Sequence, residues 1–166
     1  DVCSSDLIAN AGLIASTSLN GGIGHGVHIG SGVSFSGGIE NTFNGEIRGG
    51  ANGTSNHAID IDADLFSGNI TNDGLIKGQG FVGDGINITG AEFDGSIIND
   101  DHGKIIVSGT MGAAIYVGGG QGTTTNVVGT GTTQTTTTAS TSTRGGIFRG
   151  GISNSGVITK IGRAHV

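Results

Sequence analysis

The stretch Phe66-Ser-Gly68-Asn-Ile70-Thr-Asn72 decides the fold, because its pattern, Phe-x-Gly-x-Ile-x-Asn, occurs four times. It returns from Phe35 to Asn41, from Phe93 to Asn99 and from Phe148 to Asn154, and a truncated copy, Ile8-Ala9-Asn10, precedes them. The Asn positions are 31, 31, 27 and 55 residues apart. After each Asn a Gly opens a second short run: Gly12-Leu13-Ile14, Gly45-Glu46-Ile47, Gly74-Leu75-Ile76, Gly103-Lys104-Ile105 and Gly156-Val157-Ile158. A third alternating run follows as Val27-His28-Ile29, Ile59-Asp60-Ile61, Ile86-Asn87-Ile88 and Ile115-Tyr116-Val117. Runs of three to five residues with period-two alternation read as strands.

Three strands in each 27- to 31-residue repeat predict an all-β fold, a right-handed parallel β-helix of about five turns. Equivalent strands then stack about 4.8 Å apart, and inward positions form columns of Ile, Phe and Asn. Asn amides can bond up and down such a stack, and Gly suits the corners. As read, the rod is an open fragment without caps.

Composition agrees. Of 166 residues, 36 are Gly and none is Pro, which leaves every ladder N–H available and excludes a collagen helix. The 21 Ile against 5 Leu favour a pleated surface over helical cores. A formal charge of −6 offers no footprint for nucleic acid, and no segment is long and apolar enough for direct membrane insertion.

The ends read differently from the repeats. Residues 1–7 and the last seven residues can be encoded, codon by codon, by reverse-complementary DNA, and the string resembles a translated sequencing adapter. Residues 1–7 and 161–166 are therefore expected to lie outside the natural chain, and the only Cys, Cys3, leaves with them. The expected organisation is β-helix over 8–122, a Thr/Ser/Gly-rich loop insertion over 123–145 and β-helix again over 146–160. The inserted stretch has little apolar content and no clean alternation, which predicts a loop.

A Cys-free, Gly-rich array of Ile-x-Asn-x-Gly-x-Ile units resembles the passenger region of autotransporter (type V secretion) proteins of Gram-negative bacteria. Ile152-Ser-Asn-Ser-Gly156 carries the likeness most closely, and it extends over nearly all of Ile8 to Thr159. Two-partner secreted exoproteins look similar. The resemblance implies export, tethering to an outer-membrane barrel in the parent protein, and a place at the cell surface or outside the cell. Lack of Cys suits a chain that crosses the outer membrane unfolded.

Several polar sets invite a chemical reading. Alternation puts Asp60, Asp62 and Asp64 on one face, a candidate Ca²⁺ set, although Leu65 and Thr71 stand where an EF-hand needs Gly and Glu. Stacking the third strands aligns His25, His57 and Asp84 in one column and His28, Asp60 and Asn87 in another, close enough to share a metal. Outward polar columns are equally what a solvated face provides. The sequence accordingly assigns no catalytic, cofactor-binding or metal-binding residue and no enzyme activity. The expected function is a structural, adhesin-like stalk whose partners are cell-surface glycans or proteins. The alternative is part of an exported β-helix polysaccharide lyase or hydrolase, a class that works with paired carboxylates.

Overall fold

The computed structural model describes residues 6–17, 21–118, 123–130, 133–140 and 146–160, with the backbone alone for the two segments between 123 and 140. The expected adapter-derived ends, 1–7 and 161–166, lie outside the described residues but for residues 6 and 7. Among those described, all regular structure is strand, wound as a right-handed parallel β-helix.

Each complete turn carries four short strands rather than three. In the second turn these are Ser34–Phe35, Ile39–Asn41, Glu46–Arg48 and Ile59–Ile61. The fourth arises because Phe-x-Gly-x-Ile-x-Asn is not one strand: its Gly turns a corner between a Phe strand and an Asn strand. A Cβ on Gly68 would overlap the Gly37 carbonyl oxygen, and one on Gly95 or Gly150 would overlap the carbonyl of the Gly one turn below. Gly68 and Gly150 also have φ of 158° and 141°. The corner thus requires Gly for space and, at Gly68 and Gly150, for backbone conformation as well.

Equivalent strands pair in register through the rod. Ile39, Ile70, Ile97 and Ile152 align on the Asn face, and Phe66, Phe93 and Phe148 on the Phe face. Among the described residues three turns are complete, flanked by one without a Phe strand and one without a third-run strand. The five expected turns are therefore three full ones and two partial ones.

The core is a set of homogeneous columns. Ile47, Ile76, Ile105 and Ile158 are fully buried above one another, as are Ile59, Ile86 and Ile115. Phe35, Phe66, Phe93 and Phe148 stack face to face, with centroids 5.3, 4.9 and 5.2 Å apart and planes within 14°. Such pairs add about 0.5–1.5 kcal/mol each beyond their burial. At the opposite corner Asn10, Asn41, Asn72, Asn99 and Asn154 form the expected amide ladder. Each Nδ2 donates to the Oδ1 of the next, at 2.9, 2.7, 2.7 and 2.7 Å.

The inserted stretch departs from the expected loop. Thr123–Thr130 and Thr133–Ser140 form an antiparallel hairpin. Its first strand pairs with Ile115–Val117 and, further along, with Val157–Lys160, both antiparallel. Those two edges, expected to be uncapped, are thus covered. The cause is chemical: Thr is β-branched and favours strand whether or not apolar residues alternate with it.

Candidate functional site

The polar columns lie on the flank carrying the third strands, where register fixes every member. His25, His57, Asp84 and Ala113 each stand two residues before such a strand, and His28, Asp60, Asn87 and Tyr116 each occupy its middle. The two columns expected from the sequence therefore exist. Their environment differs from the solvated face expected of Asp60, because His57, Asp60, Asp84 and Asn87 are buried. Ile59 and Ile61 fill the core side of the strand, while His25, His28 and Asn87 close over Asp60 from the outside.

Asp60 is the centre of this cover. Its Oδ2 accepts from His28 Nδ1 at 2.8 Å and lies 3.4 Å from His25 Nε2, while its Oδ1 accepts from Asn87 Nδ2 at 2.6 Å. The His25 ring stacks on His57 at 5.1 Å and 3°, and on His28 at 5.3 Å and 28°. Asp62 and Asp64 do not join Asp60. Asp62 meets Thr89, and Asp64 accepts from the Gly32 N–H at 3.2 Å, so the three carboxylates do not converge on one point.

The first column is a set of rungs. The His57 N–H donates to His25 Nδ1 at 3.3 Å, the Asp84 N–H to His57 Nδ1 at 3.0 Å, and the Ala113 N–H to Asp84 Oδ1 at 2.5 Å. Each side chain thus accepts the backbone donor of the turn above. For His25 the network assigns the tautomer, since a neutral ring accepting at Nδ1 carries its proton on Nε2. His25 then directs Nε2–H towards Asp60, while His57, whose Nδ1 faces both the Asp84 N–H and Asp84 Oδ2, meets Ser55 Oγ through Nε2 at 3.0 Å.

That assignment decides what the cluster can do. The ligand atoms of His25, His28 and Asp60 lie within 4.8 Å of one another, a spacing open to a metal ion. Coordination through His25 Nε2 would move the ring proton to Nδ1, where it would face the His57 N–H, donor against donor. A metal-binding His normally gives its second N–H to an acceptor. The three side chains are better described as a hydrogen-bonded junction around a buried carboxylate.

Ser55, His57 and Asp84 likewise have the connectivity of a nucleophile, base and orienting acid, with His57 Nδ1 3.1 Å from Asp84 Oδ2. They border an open groove of about 530 Å³, with Asn87, Ala113 and Tyr116. A general base must offer a lone pair to the serine. The Asp84 N–H at 3.0 Å favours the proton on His57 Nε2 and Asp84 Oδ2 at 3.1 Å favours it on Nδ1, and only the second arrangement offers that lone pair to Ser55. The sequence did not single out Ser55, because Ser is abundant and no strained nucleophile turn marks it, although a residue two before His57 shares its face in an extended run.

A second open groove of about 530 Å³ runs past Phe43, Glu46, Leu75, His102, Lys104 and Val157. There the exposed Phe43 meets the His102 ring edge-on at 5.0 Å, and His102 Nδ1 lies 3.1 Å from Asp73 Oδ1. Of the described residues, none lies in a helix long and apolar enough to cross a membrane.

The fold and its columns define a parallel β-helix repeat protein. No protein-family model, curated protein or solved structure matches the chain, so fold and site rest on its own residues.

Proposed function

We propose that this chain is a length of structural stalk from a surface-displayed or secreted bacterial passenger protein of the autotransporter kind, adhesin-like in use. The observation that carries this reading is the sameness of successive turns. Asn10, Asn41, Asn72, Asn99 and Asn154 occupy one rung position, and Ile fills the matching core positions from turn to turn. A binding or catalytic site singles out one turn, whereas a spacer benefits from turns that are interchangeable. Such a rod works mechanically: it holds a distal part away from the cell, and its outward faces offer contacts to glycans or proteins.

The test is to recover the parent reading frame, express it in a Gram-negative host and treat intact cells with protease. The stalk reading predicts many further turns in the same register and cleavage of the protein on unbroken cells. Complete protection inside the cell would contradict it. So would release of reducing sugar ends from a polysaccharide by the purified chain, the result expected of a carbohydrate-active β-helix enzyme.

A further inference from the structure

The rungs beside the third strands ask only for an acceptor. His25 Nδ1, His57 Nδ1 and Asp84 Oδ1 all do the same work, each taking the backbone N–H of the turn above. In His, Asp and Asn the δ1 atom stands at the same place, one bond beyond Cγ. An Asn would therefore serve without titrating, whereas His supplies an acceptor that a proton can remove.

We propose that His25 is an acid-sensitive latch. With its ring neutral, it ties the segment leading into Val27–Ile29 to the next turn. A proton gained at Nδ1 turns that acceptor into a donor facing the His57 N–H, and the tie is lost. The segment is also tied to the second turn by Gly24 N–H to Asn56 Oδ1 at 2.7 Å, Gly26 N–H to the His57 carbonyl at 3.2 Å, Val27 N–H to the Ala58 carbonyl at 2.9 Å and Gly50 N–H to the Gly24 carbonyl at 2.8 Å. Loss of the His25 rung loosens this edge without dissolving the rod.

Three titratable groups face the His25 ring. Asp60 lies 3.4 Å from Nε2 and favours the cation, while His57 and His28, stacked on either side, oppose it. Burial is the largest influence, and the balance holds the ring below the ordinary histidine value of 6.5. The folded state therefore takes up this proton less readily than the unfolded chain. The stabilisation is complete above about pH 6.5 and is lost as pH falls below it. His57 is a different case. Its Nδ1 lies 3.0 Å from the Asp84 N–H and also 3.1 Å from Asp84 Oδ2, so a proton there exchanges one partner for another on the same residue. The latch is therefore assigned to His25.

The test is amide exchange by NMR on the whole 166-residue chain at about pH 7.5 and about pH 5, corrected for intrinsic rates, with ring ¹⁵N shifts recorded alongside. Protection of the His57 amide is expected to fall several-fold on acidification, as the ring loses its acceptor. His25→Asn should keep the neutral-pH protection and abolish its pH dependence, while His28→Asn should retain both. At neutral pH the His25 ring should carry its proton on Nε2. Four results would overturn the proposal: a flat profile in the wild-type chain, an unchanged slope in His25→Asn, loss of the slope in His28→Asn, or a proton on Nδ1 at neutral pH. If His25→Asn does not fold, the wild-type profile and ring shifts decide.

Discussion

Asn72 shows what one residue does in this fold. Its Oδ1 accepts from Asn41 Nδ2 at 2.7 Å, and its Nδ2 donates to Asn99 Oδ1 at 2.7 Å and to the Gly74 carbonyl at 3.2 Å. The residue is 1% exposed, so water cannot replace any of these partners. Asn72→Ala should cost about 3 kcal/mol in urea unfolding, since it leaves buried amide groups on both neighbouring turns without a partner. Asn72→Asp nearly conserves shape but presents only acceptors to Asn99 Oδ1, so it should be no milder at neutral pH. A cost within error of zero for both would show that the ladder is incidental. Its residues were legible in the sequence because spacing alone put one Asn in each turn. The burial of Asp60 was not, because alternation sends it outward and only folding brings His25, His28 and Asn87 over it.

At the scale of elements, stability resides in columns that no single strand can form. A three-residue strand such as Ile70–Asn72 has little stability alone, and its Ile is buried only by neighbours above and below. The Phe column allows the same logic to be measured. Phe66 is fully buried between rings at 5.3 and 4.9 Å, whereas Phe148 is partly buried and stacks on Phe93 alone among the described rings. Phe66→Ala should cost about 3–5 kcal/mol by thermal or urea unfolding, and Phe148→Ala clearly less. Equal costs would contradict the stacked arrangement. The elements themselves were partly legible. Each strand run was visible, but the corner inside Phe-x-Gly-x-Ile-x-Asn was not, because alternation continues across the Gly that breaks it. The Thr-rich hairpin was hidden for the converse reason: hydroxyl-rich strands carry no apolar alternation to read.

The whole molecule follows from repetition with few exceptions. Core columns, the Asn ladder and the Gly corner recur turn after turn, which is what a spacer of adjustable length requires. The exceptions gather on one flank, where two histidines stand in a column that elsewhere uses Asp84 or Ala113. A rod can therefore be uniform in its core while one edge responds to pH. The central claim is that residues far apart in sequence stand directly above one another. Ala9, Glu40, Thr71, Ile98 and Ser153 form one in-register outward column, with four strand spacings between its ends. Spin labels on Ala9→Cys and Ser153→Cys, in a Cys3→Ser background, should give a single narrow distance distribution by pulsed electron paramagnetic resonance. It should be centred near about 19 Å plus the label linkers, four spacings of about 4.8 Å each. A broad distribution, or a separation well beyond about 30 Å, would contradict a stacked parallel β-helix.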